Sequence, residues 1–446
     1  MTITALEADA SPEKRLFISL ITRDISLVAA FLDLIDNSIN AAVEPASHRL
    51  LTAEDYLKLS QDETVTPKVD IFLTVSPEEV EIRDTALGIS AKTAAEQVFK
   101  FGKASDEAHV GDRLSVYGIG LKRAIFKLGN KIIIQSDHAD GGFDLKLNVS
   151  DWAKDTKQPW TFPITSREPA KNKTGTKVLV TELHEDSKRR FSDGVFLGQL
   201  KEAIGRTYAF YLSKFVNIYV NEEKISGVNI EIGSNHSFEQ FKVGDVSCAI
   251  TAGIGIPQGG SFRDRSSGWF IFCNGRTVIS ADKSLLTGWG GGGTGLPIFQ
   301  PKHRPFLGFV FFVSTDAEKL PWTTTKSGIN EDSAIWQEAK RYMITVGRGV
   351  ISFLDGRYTD EGTEIASADL QEAAKDRINL MSAVVSQKRV FEPPKRPPPQ
   401  NLRIQFDAKV DDVKRIEEYL GRRGMSGAEV GRYTFNYFLR NEVGES

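Results

Sequence analysis

The chain has 446 residues, a net charge of −3, 40% hydrophobic residues and 26% charged ones. That length suits two or three domains with a sizeable core, and that composition excludes a disordered or fibrous chain. The nearly balanced charge excludes a surface coated in basic residues for nucleic acid and leaves only a local patch open.

Residues 1–24 are polar and then mixed, an arm or an edge strand. From 25 to 43 the apolar residues Ile25, Val28, Leu32, Ile35, Ile39 and Ala42 recur at steps of three and four, which predicts an amphipathic helix packed on a larger body. The same period gathers Asp33, Asp36, Asn37 and Asn40 on an adjoining face. Two acids and two amides so close together fit a bound ligand or, as readily, a solvated face. An acid-rich connection follows, and then strand-like runs at 69–75 and 80–83 flank a turn at Ser76, Pro77 and Glu78. The second run delivers Asp84, Thr85, Ala86, Leu87, Gly88 and Ile89, a tight turn that either aims the Asp84 carboxylate into a pocket or is a plain hairpin. A glycine-punctuated segment comes next: FGKAS at 101–105, Gly111, and YGIGLK at 117–122, which runs into an apolar-periodic helix at 123–128. Glycines before a helix start let backbone N–H groups approach an anion, and a lysine adds positive potential; a tight helix entry is the plainer alternative.

Strands are expected at 132–135, 143–149 and 178–183, with loop-rich chain at 159–173. A helix over 195–211 carries Leu197, Leu200, Ile204, Tyr208 and Tyr211 on one stripe. Strands at 216–220, 224–225, 247–253 and 269–273 follow, the last entering an Asn274-Gly275 hairpin turn. Cys248 and Cys273 stand in these apolar runs without partners at metal-ligand spacing, which reads as buried thiols in a reducing compartment. Gly290–Gly293 reads as a surface loop, since no helical pattern follows it. Helices are expected at 333–354 and 370–388, and five prolines within 391–399 make an extended spacer. No apolar run approaches a membrane span and the first residues lack a signal-peptide core, so a cytoplasmic location without a membrane partner is expected.

Taken together, DLIDNSINAA, DTALGIS at a strand end, FGKAS, YGIGLKRA, and Gly175-Thr176-Lys177-Val178 before a strand resemble the nucleotide site of the GHKL (Bergerat-fold) ATPase superfamily, which includes gyrase B subunits, MutL proteins, heat-shock chaperones and histidine kinases. The FGKAS and DNS elements look closest to the MORC branch and its prokaryotic, MutL-like relatives. The resemblance spans roughly residues 12–185 and implies an α/β (α+β) sandwich that binds ATP and Mg²⁺. It implies that Asn37 holds Mg²⁺ through its amide oxygen, a hard ligand, and that Asp33 stands where the general base does, although most members carry Glu there. It implies that Asp84 accepts from the adenine amino group with Thr176 in support, beside Gly88 and Ile89. The FGKAS element contributes Gly102 and Ser105, and Gly118, Ile119, Gly120, Leu121 and Lys122 cradle the phosphates. Ala86 replaces a usual glycine and fits only with a negative φ. GWFIFCNGRTV looks like the second-domain hairpin of MutL-type proteins, which implies an S5-like transducer, and Lys326 in LPWTTTKSGIN then matches a loop lysine that reaches the γ-phosphate; a solvated loop lysine is the alternative.

Beyond the prolines, Leu402, Ile404 and Phe406 alternate with polar residues as in a short strand. Val410, Val413, Ile416 and Leu420 mark a helix ending at Gly424, and Ser426 with Glu429 forms a capping box opening a second helix. This tail resembles a ribbon–helix–helix unit, which implies DNA binding as a dimer. Its ten Lys/Arg against eight Asp/Glu from Lys395 onward are few for a DNA binder, so a dimerisation or docking module remains open.

The expected organisation is an ATP-binding domain at 1–190, a transducer at 191–355, a helical and proline-rich linker at 356–399 and a tail module at 400–446. The expected function is slow Mg²⁺-dependent ATP hydrolysis driving a homodimerisation switch, with DNA as a candidate partner. A non-hydrolysing ATP sensor or DNA-binding regulator is the alternative.

Overall fold

The structure, a computed structural model, describes residues 12–47, 69–101, 114, 118–155, 159–171, 173–212, 214–257, 262, 266–357, 369–379, 389–394 and 404–444. The chain divides into two units, 1–394 and 395–446.

The first unit is built on two sheets. The larger comprises β1 (Val69–Val75), β2 (Glu79–Asp84), β3 (Gly129–Asp137), β4 (Phe143–Asn148), β5 (Ile164–Ser166), β6 (Gly175–Leu183), β7 (Val216–Val220) and β8 (Glu223–Lys224), in the order β5-β4-β3-β6-β2-β1-β7-β8. Its neighbours run antiparallel except β1 and β7, which pair in parallel from Val69↔Val216 to Leu73↔Val220. Ile71, Leu73 and Val75 alternate with more exposed residues along β1, as do Val80 and Ile82 along β2. One face is therefore packed and the other wetter. The packed face carries α2 (Leu27–Ser47), which lies on β1 and β2 and beside α4 (Gly120–Leu128); a short helix α3 (Ala91–Thr93) continues as a wide turn at Ala94–Val98.

The most buried apolar residues of α2 are Ala30, Phe31, Leu34, Ile35 and Ile39, while Val28, Leu32 and Ala42 are half-buried. The core-facing stripe is thus turned from the one the apolar spacing predicts. The reason is that α2 is enclosed on several sides, so polar residues as well as apolar ones are withdrawn from water.

Residues Lys14–Arg23 form a helix, α1, where the sequence suggested an arm or an edge strand. Its anchor is not an aliphatic stripe. Leu16 and Leu20 stay exposed, whereas the Phe17 ring meets Phe101 and Trp160, and the Lys14 ammonium lies 4.7 Å from the Trp152 ring. A buried lysine stem covers aromatic surface without an apolar period to announce it.

Helices α5 (Val149–Lys154), α6 (Glu185–Phe191) and α7 (Gly194–Thr207) complete this half; Asp193 caps α7 by accepting from the Val195 N–H. The second sheet comprises β9 (Glu231–Val243), β10 (Val246–Gly255), β11 (Gly268–Cys273), β12 (Arg276–Asp282), β13 (Phe306–Val313) and β14 (Arg377–Asn379), in the order β12-β11-β13-β10-β9-β14. Every residue of β10, β11 and β13 is buried, which accounts for apolar runs such as FLGFVFFV. Helix α8 (Ala334–Gly356) packs on β9, β10 and β13. The turn joining β11 to β12 has φ of 47° at Asn274 and 83° at Gly275, the mirror-image hairpin turn that suits twisted strands. Cys248 and Cys273 flank β13 opposite Phe312, and burial raises both thiols above their ordinary range. Residues 291–294 are an exposed turn.

The helix expected at 370–388 does not extend that far. Residues 369–373 are helical, and Arg377–Asn379 pairs instead with β9 through Arg377↔Gly233. An open sheet edge there outcompetes local helix propensity.

In the second unit, α9 (Val410–Leu420) ends on Gly421 at φ 63°, three residues before the expected stop at Gly424. Helix α10 (Gly427–Phe438) opens with the expected capping box, in which the Ser426 hydroxyl accepts from the Glu429 N–H while Glu429 accepts from the Ser426 N–H. The expected strand at 402–407 is not formed at 404–407, where no ladder partner lies among the described residues; positions 401–403 lie outside them.

Candidate active site

The residues singled out in DLIDNSINAA, DTALGIS and GTKV meet on one side of the larger sheet. Asp84 ends β2, nearly buried at 8% exposure. Its Oδ2 accepts from the Ser38 hydroxyl at 2.8 Å, and its Oδ1 accepts from the N–H groups of Ala86 at 3.1 Å and Thr176 at 3.2 Å. Burial raises its pKa above the ordinary carboxylate value, and these three donors offset only part of that. An ionised carboxylate has about four lone-pair directions. One on Oδ2 is left for a further donor.

The following turn is held against β3 and β6. The Ile89 N–H donates to the Ser136 hydroxyl at 2.7 Å, and Ser136 shares a hydrogen bond with Thr176 at 2.9 Å. Gly88 has φ 73°, and a Cβ there would lie 2.0 Å from the Asp137 carbonyl oxygen, so no side chain fits. Ala86 does not adopt a positive φ, which meets the condition on its replacing glycine. Sequence reasoning missed Ser38 and Ser136. Ser38 stood in view as a small polar residue beside the buried stripe, whereas nothing local marked Ser136.

On α2, Asn37 donates its amide nitrogen to the Asp33 carbonyl at 3.0 Å, which leaves the amide oxygen turned away from the helix backbone. That oxygen is a hard, uncharged ligand of the kind Mg²⁺ takes alongside phosphate oxygens and water. No group of three or more His, Cys, Asp or Glu capable of holding a metal exists among the described residues. The Asn40 side-chain oxygen accepts from the Leu114 N–H at 3.0 Å and ties the glycine-rich segment to α2.

Asp33 and Asp36, one turn apart, are 2% and 1% exposed. Asp33 faces α4: its Oδ2 accepts from Arg123 Nε at 2.5 Å and its Oδ1 from Arg123 Nη2 at 2.8 Å, a two-pronged ion pair. Gly120 lies against it, with the place of a Cβ 3.7 Å from the Asp33 carboxyl carbon. Asp36 faces the second sheet. Its Oδ1 accepts from Arg276 Nε at 3.0 Å and from the Tyr208 hydroxyl at 2.7 Å, and its Oδ2 accepts from Lys326 Nζ at 2.7 Å. Burial works to raise the Asp36 pKa, but the Arg276 guanidinium and the Lys326 ammonium outweigh it and the carboxyl is held below its usual range. Burial and the Asp36 charge push the Tyr208 phenol well up.

Lys326 is therefore no solvated loop residue: it is 6% exposed and has φ 53° in a turn closed by the Trp322↔Ile329 bridge. Its carbonyl also accepts from Arg276 Nη1 at 2.7 Å. A left-handed lysine is uncommon and costs conformational energy, which the surrounding contacts must hold in place.

Gly118, at φ 61°, Ile119, Gly120 and Leu121 stand at the α4 N-terminus beside Asp33, but Lys122 does not join them. Its ammonium is fully buried and donates to the carbonyls of Val98, at 2.7 Å, and Lys100, with the Phe101 ring 5.3 Å away. Burial lowers its pKa to about 7. In this arrangement Lys122 braces the chain after α3 and presents no charge to a phosphate. Gly102 and Ser105 lie outside the described residues.

Residues 25–182 match the family model described as histidine kinase-, DNA gyrase B-, and HSP90-like ATPase. No curated protein matches the chain. The match supports a GHKL-type domain over this segment and, with it, ATP binding.

Proposed function

We propose that this protein is an ATP-gated switch of the MORC/MutL-like kind, which binds Mg²⁺–ATP on α2, hydrolyses it slowly with Asp33 as base, and dimerises in the ATP state. In this reading Asp84 and Thr176 receive the adenine, Asn37 holds Mg²⁺ through its amide oxygen, and the backbone at Gly118–Leu121 meets the phosphates. The metal would neutralise charge on the phosphate chain; the protein's own residues position the triphosphate and accept a proton from water. The second sheet acts as an S5-like transducer, and the tail serves as a dimerising or DNA-contacting module in a cytoplasmic protein.

The observation that carries the reading is the buried cluster of Asp33, Asp36, Arg123, Arg276 and Lys326. It holds three cations against two carboxylates. Asp33 and Arg123 balance one for one, so the surplus positive charge belongs to the group around Asp36. An added anion would draw Lys326, because Asp36 would keep Arg276 and Tyr208 and no carboxylate would be left unpaired. A γ-phosphate supplies that anion in ATP and not in ADP.

A charge-assisted hydrogen bond is worth about 1.5–3 kcal/mol, or roughly tenfold to hundredfold in affinity. Lys326→Ala should weaken ATP binding by that factor, leave ADP binding unchanged, and abolish the increase in mass that this reading expects with a non-hydrolysable ATP analogue. Equal effects on the two nucleotides would defeat the coupling.

A second reading, a non-hydrolysing sensor, is favoured by one observation: both oxygens of the expected base are already engaged by Arg123. Phosphate release by the purified protein, with and without DNA, separates the two.

A further inference from the structure

The geometry points to Arg123 as a positioning residue for Asp33, one that ties the base to the loop carrying Lys326. This rests on the nucleotide-site reading above. Three contacts support it. Nε and Nη2 of Arg123 grip both oxygens of Asp33, at 2.5 and 2.8 Å, and its Nη1 donates to the Thr324 carbonyl at 3.4 Å. One planar group carried by α4 thereby touches both α2 and the 322–329 turn of the second half.

The fork fixes more than charge. Two parallel hydrogen bonds hold the carboxylate plane to the guanidinium plane, so Asp33 cannot rotate unless Arg123 moves. Gly120 also lies against the Asp33 carboxyl group, with the place of a Cβ 3.7 Å from its carboxyl carbon. Both side chains are withdrawn from solvent, at 5% and 2% exposure, so water does not compete for the pair. Asp33 is one methylene shorter than a glutamate, and a base with that reach has little tolerance for rotation. An unclamped Asp33 would sample orientations aimed away from an attacking water.

The third contact gives the clamp a second input. Thr324 sits two residues before Lys326, in a turn closed by the Lys326 N–H donating to the Thr323 carbonyl and the Thr323 N–H donating to the Gly328 carbonyl. A turn braced in this way moves as a unit. When Lys326 changes partner, the Thr324 carbonyl shifts with it, and Arg123 with Asp33 follows. The base is then aligned only while the second half is docked.

The test is a double-mutant cycle on the full chain, with turnover, KM for ATP and ADP affinity measured in each variant. Arg123→Lys keeps the charge and cannot form the fork. It should lower kcat by about 10²-fold, the cost of misplacing a reacting group by about 1 Å, with KM and ADP affinity changed less than about threefold. In an Asp33→Asn background the same substitution should have no further effect on kcat, since Arg123 acts through Asp33. Arg123→Lys lowering kcat equally in both backgrounds, or raising it, would overturn the proposal. Loss of ADP binding in Arg123→Lys, with an unchanged melting temperature, would overturn it too by making Arg123 a nucleotide ligand. If Asp33→Asn alone leaves turnover intact, the assignment of the base falls with it. If the wild type binds ADP but releases no phosphate, no base is being aimed and the proposal falls; turnover gained in Arg123→Lys would then identify a clamp that blocks Asp33.

Discussion

At the scale of single residues, the most informative group is the Asp84 carboxyl. It accepts three hydrogen bonds and yet its pKa is raised, because burial outweighs them. A carboxyl whose folded-state pKa lies above 3.8 takes up its proton earlier as the pH falls. With Oδ1 engaged by two backbone N–H groups and Oδ2 by Ser38, a proton on Oδ2 takes the position that an adenine amino group needs. ADP affinity should therefore decline on acidification at a pH above the ordinary aspartate range. Asp84→Asn should weaken ADP binding by about tenfold to hundredfold and remove that component of the pH dependence. Comparing the two proteins by calorimetry between pH 7 and the acid range cancels the titration of the nucleotide's own phosphate. A parallel decline in both would assign the effect elsewhere.

At the scale of elements, α4 joins two sites of opposite character. Its first residues stand over Asp33, and one residue on, Lys122 turns into the core to cap the carbonyls of Val98 and Lys100. A lysine with a folded-state pKa of about 7, against 10.5 when free, is charged at a cost below pH 7. Between those values the unfolded chain binds more protons than the folded one, so stability rises with pH across the window. The melting temperature should climb between about pH 7 and pH 10, and Lys122→Met should flatten that climb while sparing nucleotide binding. A slope unchanged by the substitution would show that Lys122 carries no such penalty. A Lys122 variant with lost ATP affinity would instead return the residue to the phosphate site.

At the scale of the whole first unit, Asp36 is where the two halves meet. It belongs to α2, while its partners come from the chain after α7 (Tyr208), from β12 (Arg276) and from the 322–329 turn (Lys326). Removing one member of a buried ionic group leaves the others desolvated without compensation, at a cost of about 3–5 kcal/mol. Asp36→Asn should lower the free energy of unfolding by that amount in denaturant titration, with Arg276 and Lys326 left facing each other. A change below about 1 kcal/mol would mean that the charges escape to solvent and that the junction is loose. Lys326→Ala should cost less, since Asp36 keeps two of its three partners.

The sequence by itself determined the local features that depend on spacing and turn chemistry. These include the polar face on α2, the β2 run into Asp84 and its glycine turn, the Asn274-Gly275 hairpin and the capping box at Ser426. Each is set by residues within about four positions of one another, and so each was legible. The tertiary structure alone decided what those residues face. Asp33 and Asp36 look alike in the sequence, yet one is gripped by an arginine 90 residues away and the other by a lysine 290 residues away. Lys122 looked like a phosphate ligand because helix-entry lysines add positive potential, and it went inward because nearby carbonyls needed a donor. Lys326 was expected to reach a γ-phosphate, with a solvated loop residue as the alternative, but no local window named Asp36 as the partner that draws it inward. The strand at 377–379 and the pairing of β1 with β7 were hidden for the same reason. Partner choice over long separations is fixed by which burial and charge terms can be satisfied at once, and no local window contains that information.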